Sequence, residues 1–193
     1  LRKVGLHMIK VFIDQGHNPT NPNAGAEGNG LREQDIVYEV GRRLAILLNA
    51  NPNYEARLSR NSPTEILGTS IAESLRLRVD AANSWGADIF ISIHANASEI
   101  STASGVEGYV YAIPSSAYNL SEDILEQLSL ITGLTNRGTF ARPTLYVLRK
   151  TTMPAVLTEI GYITNPKDAA LMNNNPDIFA RGIYNGILQY YAS

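Results

Sequence analysis

The sequence predicts an α/β fold, with a mostly parallel β-sheet and helices on both of its faces. Three apolar segments each end in a titratable side chain, namely His17, His94 and Glu159. Near-continuous apolar runs of this kind are typical of strands buried on both faces. Strand-like segments also alternate with segments of helical periodicity, which is the order that produces parallel sheets. Each titratable group is therefore expected at the carboxyl end of a strand, where open α/β sheets bind ligands.

The chain has 193 residues, and because one domain usually holds ~100–200 residues, a single domain is predicted. The formal net charge of −2 gives no electrostatic argument for binding nucleic acid or an anionic membrane. No apolar run approaches the ~20 residues of a membrane-spanning helix. The absence of cysteine excludes disulfides, zinc–thiolate sites and a cysteine nucleophile, so that any metal must be bound by histidine and carboxylate.

The amino-terminal residues read differently from the rest of the chain. Met8 is followed at once by a strand-like segment, as at a natural start, and residues 1–7 show no signal-peptide pattern. We therefore expect residues 1–7 to be an extraneous leader, and we discount His7. Residues 8–193 are expected to form the functional domain.

In the first half of the chain, a central strand is predicted at residues 10–13. A loop rich in Gly, Asn and Pro follows, and loops of such length are usually functional or mobile. Apolar residues then recur at helical spacing from Glu33, and acidic residues occupy the first turn, where the helix dipole favours them. The predicted elements are a loop at 14–30, a helix at 33–49, a strand at 54–59, and a helix at 71–85 with Ser70 as N-cap and Gly86 as its end.

The second half is predicted in the same way. Pro166 is well placed in the first turn of a short helix. The directions of the strands that begin at Tyr54 and Val106 stay open, and an antiparallel position at a sheet edge is one possibility for each. The predicted elements are strands at 88–93, 106–113, 145–148 and 155–160, a loop at 133–142, and helices at 118–132, from 166, and at 177–191.

His17, Glu33 and His94 are candidate metal ligands. Two histidines and one carboxylate satisfy a catalytic zinc ion, which takes three protein ligands and leaves one position for water. The spacing is not that of the His-Glu-x-x-His helix, so the ligands must come from three separate elements. A single histidine is more often structural and a glutamate at a helix start is more often a cap. It is the two histidines at strand ends that favour a site.

Glu159 is the fourth candidate, because a carboxylate at a buried strand end is costly unless it is paired, hydrogen-bonded or functional. One interpretation is an ion pair with Arg142, Arg149 or Lys150. The other is a general base, and then general acid, beside a zinc-activated water.

Five short motifs occur in an order and spacing that are specific together. They are Val-Phe-Ile-Asp-Gln-Gly-His (11–17), Gly-Leu-Arg-Glu-Gln-Asp (30–35), Arg-Val-Asp-Ala-Ala-Asn (78–83), Ala-Asp-Ile-Phe-Ile-Ser-Ile-His-Ala-Asn-Ala (87–97) and Met-Pro-Ala-Val-Leu-Thr-Glu-Ile-Gly-Tyr-Ile-Thr-Asn (153–165). In these motifs the chain resembles the zinc-dependent N-acetylmuramoyl-L-alanine amidases of the amidase-3 type, which cleave bacterial peptidoglycan.

The resemblance implies a twisted sheet of about six strands and a catalytic amidase domain at residues 8–193. It implies that Zn²⁺ is bound by His17, Glu33 and His94, and that Glu159 is the catalytic carboxylate. The substrate would be the amide bond between N-acetylmuramic acid and L-alanine in peptidoglycan. Such an enzyme acts outside the cell, in the wall, as an autolysin or an endolysin. It does not insert into a membrane, and separate wall-binding domains are compatible with it.

Some positions depart from the family pattern. Gln15 stands in place of proline, Asn18 in place of glycine and Tyr162 in place of phenylalanine. We expect these differences to alter loop conformation or substrate fit rather than metal binding. Asn96, two residues after His94, is a candidate for substrate binding.

The sequence argues against two other classes of function, nucleotide binding and serine hydrolysis. The sequence contains neither of the common glycine-rich phosphate-binding motifs, and acidic residues lie where a phosphate would bind. It also lacks the Gly-x-Ser-x-Gly motif of serine hydrolases. Two alternatives stay open, a zinc carboxypeptidase-like peptidase and a non-catalytic module that binds the cell wall.

Overall fold

A computed structural model describes residues 8–192. The expected leader at 1–7 lies outside the described residues, as does Ser193. The strands are β1 (Ile9–Gln15), β2 (Glu27–Gly28), β3 (Leu31–Arg32), β4 (Tyr54–Leu58), β5 (Ile89–Asn96), β6 (Val106–Val110), β7 (Asn136–Ala141) and β8 (Ala155–Tyr162). The helices are α1 (Glu33–Asn49), α2 (Ile71–Trp85), α3 (Ser116–Thr132), α4 (Tyr146–Lys150), α5 (Pro166–Asn174) and α6 (Pro176–Ala192).

The main sheet has six strands in the order β4-β1-β5-β8-β6-β7, while β2 and β3 form a separate two-stranded hairpin. The strands β4, β1, β5 and β8 run parallel, and their carboxyl ends therefore lie at one edge. The strand β6 is antiparallel to β8, and β7 is parallel to β6. The predicted fold, an α/β domain with a mostly parallel sheet of about six strands, is confirmed.

The two faces of the sheet have different cores. One face buries Val11, Ile13 and Ile91 with residues of α1, α3 and α6. The other face buries Phe12 and Phe90 with residues of α2 and α4. Because successive side chains of a strand point to opposite faces, His94 and Glu159 project on the second face, where the helices are shorter and fewer.

The long amphipathic helices are predicted well. The helices α1 and α2 begin and end at the predicted residues. The Ser70 side chain accepts a hydrogen bond from the backbone N–H of Glu73 at 3.1 Å, which satisfies one of the free donors of the first turn. Gly86 ends α2 in the left-handed conformation at φ 67°, which glycine adopts without steric cost.

Three predictions are wrong. Residues 14–30 do not form only a loop, because β1 extends to Gln15 and β2 lies at Glu27–Gly28. Residues 133–142 do not form only a loop, because β7 lies within them. This strand is mostly exposed and carries Gly138 at φ 93°, so it has no apolar alternation to reveal it. The segment predicted as a strand at 145–148 lies instead at the start of α4. A short apolar run fits either period, and here Val147 and Leu148 are buried against the sheet from a helical turn.

The two open strand directions are now settled. The strand that begins at Tyr54 is β4, and it is an edge strand parallel to β1. The strand that begins at Val106 is β6, and it is antiparallel but lies between β8 and β7. Across the described residues 8–192, no helix combines the length and the apolar character that spanning a bilayer requires.

The closest approach of α3 and α6 provides a stability test. A Cβ atom at Gly186 would lie 2.4 Å from Cα of Ile124, which is backbone and cannot move aside. We expect Gly186→Ala to lower the free energy of unfolding by about 1–3 kcal/mol through overpacking, although alanine favours helix by ~1 kcal/mol over glycine. Urea unfolding measures this, with Asn185→Ala as the control on the same helix. An alanine variant as stable as the wild type would contradict the close packing.

Candidate metal centre

His17, Glu33 and His94 converge at the carboxyl edge of the sheet. One ligand atom from each residue lies within 4.8 Å of the others. The Oε1 atom of Glu33 is 3.1 Å from Nε2 of His17 and 2.9 Å from Nδ1 of His94. The two imidazole rings meet edge to face, with centroids 4.8 Å apart.

Three separate elements position these side chains, as the sequence predicted. His17 follows β1, Glu33 is the first residue of α1, and His94 lies near the end of β5. Two glycines make room for them. A Cβ atom at Gly16 would lie 2.4 Å from Cε1 of His94, and one at Gly25 would lie 2.8 Å from Oε2 of Glu33. Side chains at either position would displace the cluster.

Glu33 is held in its ionised form. Burial of Glu33 works against ionisation, but hydrogen bonds from His17 and His94 outweigh it and hold the pKa of the carboxyl well below its usual range. Backbone N–H groups also donate to it, from Ala26 to Oε2 at 2.9 Å and from Ala95 to Oε1 at 3.1 Å. A carboxylate fixed in this way is a ready metal ligand.

Glu159 lies beside this cluster, since it is the register partner of His94 on the neighbouring strand. Its Oε2 atom is buried and has no hydrogen-bond partner. No ion pair joins Glu159 to Arg142, Arg149 or Lys150 within the described residues 8–192. Burial, with the nearby carboxylates Glu33 and Glu107, raises the pKa of Glu159 well above its usual range.

The sheet changes register directly after these two residues. His94 pairs with Glu159, but Asn96 pairs with Tyr162, so β8 carries one extra residue at this point. A bulge bends the strand and re-aims side chains, and bulges are frequent next to active sites. Asn96 itself is half-buried at the end of β5, where its Oδ1 accepts a hydrogen bond from the N–H of Ala97 at 2.9 Å.

A buried ion pair supports the loop that carries His17. Arg78 of α2 donates to Oδ1 of Asp14 at 2.7 Å and to the backbone oxygen of His17 at 2.6 Å. Ser92 donates to Oδ2 of Asp14 at 2.8 Å. His17 has φ 68°, a left-handed conformation that non-glycine residues rarely adopt and that needs such support. Sequence reasoning missed the role of Asp14, although a charged residue within an apolar strand was the available signal.

The three departures from the family pattern all lie near the site. The Oε1 atom of Gln15 accepts hydrogen bonds from Oγ of Ser59 at 3.2 Å and the N–H of Arg60 at 3.0 Å. Asn18 donates to the backbone oxygens of residues 22 and 67 at 2.8 and 3.0 Å, and so fixes the loop after His17. Neither Gln15 nor Asn18 belongs to the histidine–glutamate cluster.

Tyr162 belongs to a polar cluster that the sequence did not reveal. Its centre is the buried carboxylate of Glu107, which accepts hydrogen bonds from the hydroxyls of Tyr162 and Tyr109 and from Arg137. Burial raises the pKa of Glu107, but these hydrogen bonds reverse the effect and leave it below the usual value. Burial and the bond to Glu107 raise the pKa of Tyr162 to about 12. Glu107 is the register partner of Glu159 on β6.

A small apolar cavity adjoins the cluster of His17, Glu33 and His94, on the sheet face that carries His94. Its volume is about 140 Å³. Its lining is mostly apolar and includes Leu75, Leu145, Tyr146, Val147 and Leu157, while Asp14, Asn23, Arg78, His17 and His94 are the polar residues in its wall.

Comparison with known families decides the classification. The family model of amidase 3, described as N-acetylmuramoyl-L-alanine amidase, matches residues 11–189. The chain belongs to the amidase-3 family. This confirms the resemblance seen in the sequence motifs.

Individual members of the amidase-3 family are similar over nearly the whole chain. The chain is 36% identical over 188 residues to the N-acetylmuramoyl-L-alanine amidase CwlM of Bacillus licheniformis, covering 95% of this chain and 69% of that protein. The catalytic domain of the amidase CwlV from Bacillus (Paenibacillus) polymyxa var. colistinus superposes with a TM-score of 0.84 at 32% identity, covering 96% of this chain and 99% of that one. The amidase structure from Clostridium difficile 630 gives 0.86 at 29%, covering 97% and 98%.

The support of His17 by Arg78 generates a prediction. Arg78→Ala leaves Asp14 buried without its partner, and breaking a buried pair in this way typically costs 3–5 kcal/mol, so we expect a loss of about that size. Urea unfolding measures the change. Arg76→Ala, which removes an exposed arginine from the same helix, should alter stability by less than ~0.5 kcal/mol. Equal effects of the two substitutions would show that the buried pair has no special role.

Proposed function

We propose that this amidase-3 chain is a zinc-dependent N-acetylmuramoyl-L-alanine amidase, which hydrolyses the amide bond between N-acetylmuramic acid and L-alanine in bacterial peptidoglycan. The names of the relatives support the reaction. The observation that carries the proposal is the convergence of His17, Glu33 and His94 beside an unpaired carboxylate, Glu159.

The donor set fits zinc. Ligand bonds of ~2.0–2.1 Å at tetrahedral angles place neighbouring donor atoms about 3.3 Å apart. The two nitrogen atoms lie 3.1 and 2.9 Å from Oε1 of Glu33, close to that separation, and the three ligand atoms all lie within 4.8 Å of one another. Two neutral imidazoles and one carboxylate are also a ligand set of known catalytic zinc sites. We therefore assign His17, Glu33 and His94 as the residues that would hold the ion.

Zinc, when bound, supplies a Lewis acid that polarises a carbonyl oxygen and makes a water molecule more acidic. The chain supplies the proton transfers. Glu159 accepts the proton of the attacking water and then delivers it to the nitrogen of the leaving L-alanine amine, which keeps the proton balance within one group. The desolvated position of Glu159 raises its pKa, and a dication beside it draws the pKa back towards the range in which a carboxyl both accepts and donates.

Asn96 is the proposed substrate-binding residue. It lies two residues beyond His94, next to the bulge, and is only half-buried. A side-chain amide at this point has both a donor and an acceptor for an amide group of the substrate.

The proposed place of action is the bacterial cell wall, reached by secretion or by release on lysis. Relatives that share this domain have names that point to the cell wall, to germination and to an endolysin. The chain spans 35% of the amidase LytC of Bacillus subtilis, a relative with room for further segments. Wall-binding domains joined to this one would be compatible with the proposal.

The role of Glu159 predicts opposite effects on activity and stability. Glu159→Gln should abolish amine release from peptidoglycan while zinc still binds. In the metal-free protein, the raised pKa means that folding is most favourable below the unfolded-state pKa and weakens as pH rises towards the folded-state value. The glutamine variant escapes this loss and should be more stable than wild type at pH 7 by about 1–3 kcal/mol.

Thermal unfolding from pH 4 to pH 8 measures that difference, which should vanish at the acidic end. Unchanged turnover of Glu159→Gln would exclude the proposed proton transfer. If Glu159→Gln were as stable as the wild type at every pH, the inference that the Glu159 carboxylate is desolvated would be contradicted.

The metal assignment predicts a loss of zinc and activity together. His94→Ala should lower the zinc content from one ion per chain to near zero, and chelator treatment of the wild type should stop amine release until zinc is restored. Metal analysis and amine release from purified peptidoglycan measure the two effects. Simple peptides serve as control substrates, since their rapid cleavage would favour the carboxypeptidase-like alternative. A full zinc content in His94→Ala would remove His94 from the site.

A further inference from the structure

The sheet face that carries Glu159 continues as an open surface over β6 and β7. On this face, the helices α2 and α4 pack against residues of β1, β5 and β8, including Phe12, Phe90 and Leu157. Farther along, Tyr109 of β6 is half-buried and Phe140 of β7 is 41% exposed. An aromatic floor, formed by Tyr109 and Phe140, therefore lies beside Leu157 and reaches the edge strand of the sheet.

The exposed side chain of Arg142 lies on this floor. The guanidinium carbon of Arg142 is 5.1 Å from the ring centroid of Tyr109 and 5.9 Å from that of Phe140. Stacking on two aromatic rings holds the cation in place while its edge stays free to donate hydrogen bonds. Its one side-chain hydrogen bond within residues 8–192 is to the backbone oxygen of Ala141, at 3.3 Å.

Arg142, which directly follows β7, has no acidic partner in the described part of the chain, unlike Arg137 within that strand. Arg137 is paired with Glu107, which is already saturated by two tyrosine hydroxyls. The positive charge of Arg142 is thus available to a ligand. An arginine presented in this way suits a carboxylate, which it can bind through two parallel hydrogen bonds.

The positive charge of Arg142 favours contact with the peptide stem of the proposed substrate over contact with its glycan strand. The glycan strand around the scissile bond is uncharged, whereas the peptide stem carries carboxylates. In stems whose second residue is D-isoglutamate, the chain continues through the γ-carboxyl group and leaves the α-carboxylate free. The open face over β6 and β7 therefore matches the peptide and not the sugar.

The distances agree with that assignment. Tyr109 pairs with Leu157, so Arg142 above its ring lies roughly 10 Å from Glu159, given a rise of ~3.3 Å per residue and a strand spacing of ~4.8 Å. From the amine of L-alanine to the α-carboxylate of the next residue an extended chain spans about 7 Å. A proton-transfer contact at the amine and a hydrogen bond at the carboxylate add ~3 Å each, so the extended reach of about 13 Å covers the span with the peptide slightly bent.

We propose that Arg142, seated on Tyr109 and Phe140, binds the free α-carboxylate of the second peptide-stem residue. This inference rests on the proposed amidase function and adds to it a specificity for stems that are not amidated at that position. Arg142 is a substrate-binding residue that touches neither the metal ligands nor the scissile bond.

Two matched muramyl dipeptides test the proposal. One is N-acetylmuramoyl-L-alanyl-D-isoglutamate, the other its isoglutamine counterpart, and both carry a γ-methylamide so that they differ only in the α-carboxylate. The zinc-loaded wild type should cleave the acid with a kcat/KM about tenfold higher than the amide, mainly through KM. Arg142→Gln should bring this ratio close to one, and the wild-type preference should weaken with added salt, which screens an exposed charge.

Arg76→Gln is the matched control, because it removes an exposed arginine from α2, away from Tyr109 and Phe140, and should keep the preference. Equal cleavage of acid and amide by the wild type, or an unchanged preference in Arg142→Gln, would overturn the proposal while leaving the amidase function intact. Failure of the wild type to release amine from purified peptidoglycan would instead contradict the amidase function itself.

Discussion

The buried pair of Asp14 and Arg78 is the contact on which the metal-binding edge depends. It joins β1 to α2, and through Ser92 it joins both to β5. The same guanidinium reaches the backbone oxygen of His17, a residue in an unfavourable left-handed conformation. Burying two charges carries a large desolvation free energy, which is offset only when both groups make a full set of hydrogen bonds. Here that set also fixes the first proposed ligand, so stability and site geometry share one cause.

The surroundings of two carboxyl groups at the same sheet edge shift their pKa values in opposite directions. Glu33 accepts hydrogen bonds from two histidines and two backbone N–H groups, and its pKa falls. Glu159 has an unpartnered buried oxygen and two acidic neighbours, and its pKa rises. Environments that separate the pKa values of neighbouring carboxyl groups are a common basis for acid–base catalysis. The proposed ligand, Glu33, and the proposed proton carrier, Glu159, therefore already differ in the metal-free protein.

Much of this arrangement was predictable from sequence because it follows from strong periodic signals. Apolar strands that end in His17, His94 and Glu159, and the long amphipathic helices, gave the fold class and the converging residues. The polar cluster around Glu107 was not predictable, since it depends on β6 being antiparallel to β8. The sequence of a short strand does not indicate its direction. The strand β7 was missed for a related reason: an exposed edge strand buries too little to show alternation. The segment at 145–148 was short enough to fit either period.

The two outermost strands have a consequence for how copies of the molecule behave when crowded. An exposed strand edge is a template for pairing with another chain, and proteins disfavour such pairing with charges, short strands and irregularities. Here β4 is only five residues long and presents Glu55 and Arg57, while β7 is interrupted by Gly138 and by a shift in register against β6. Both ends of the sheet therefore resist edge-to-edge pairing with another copy of the domain.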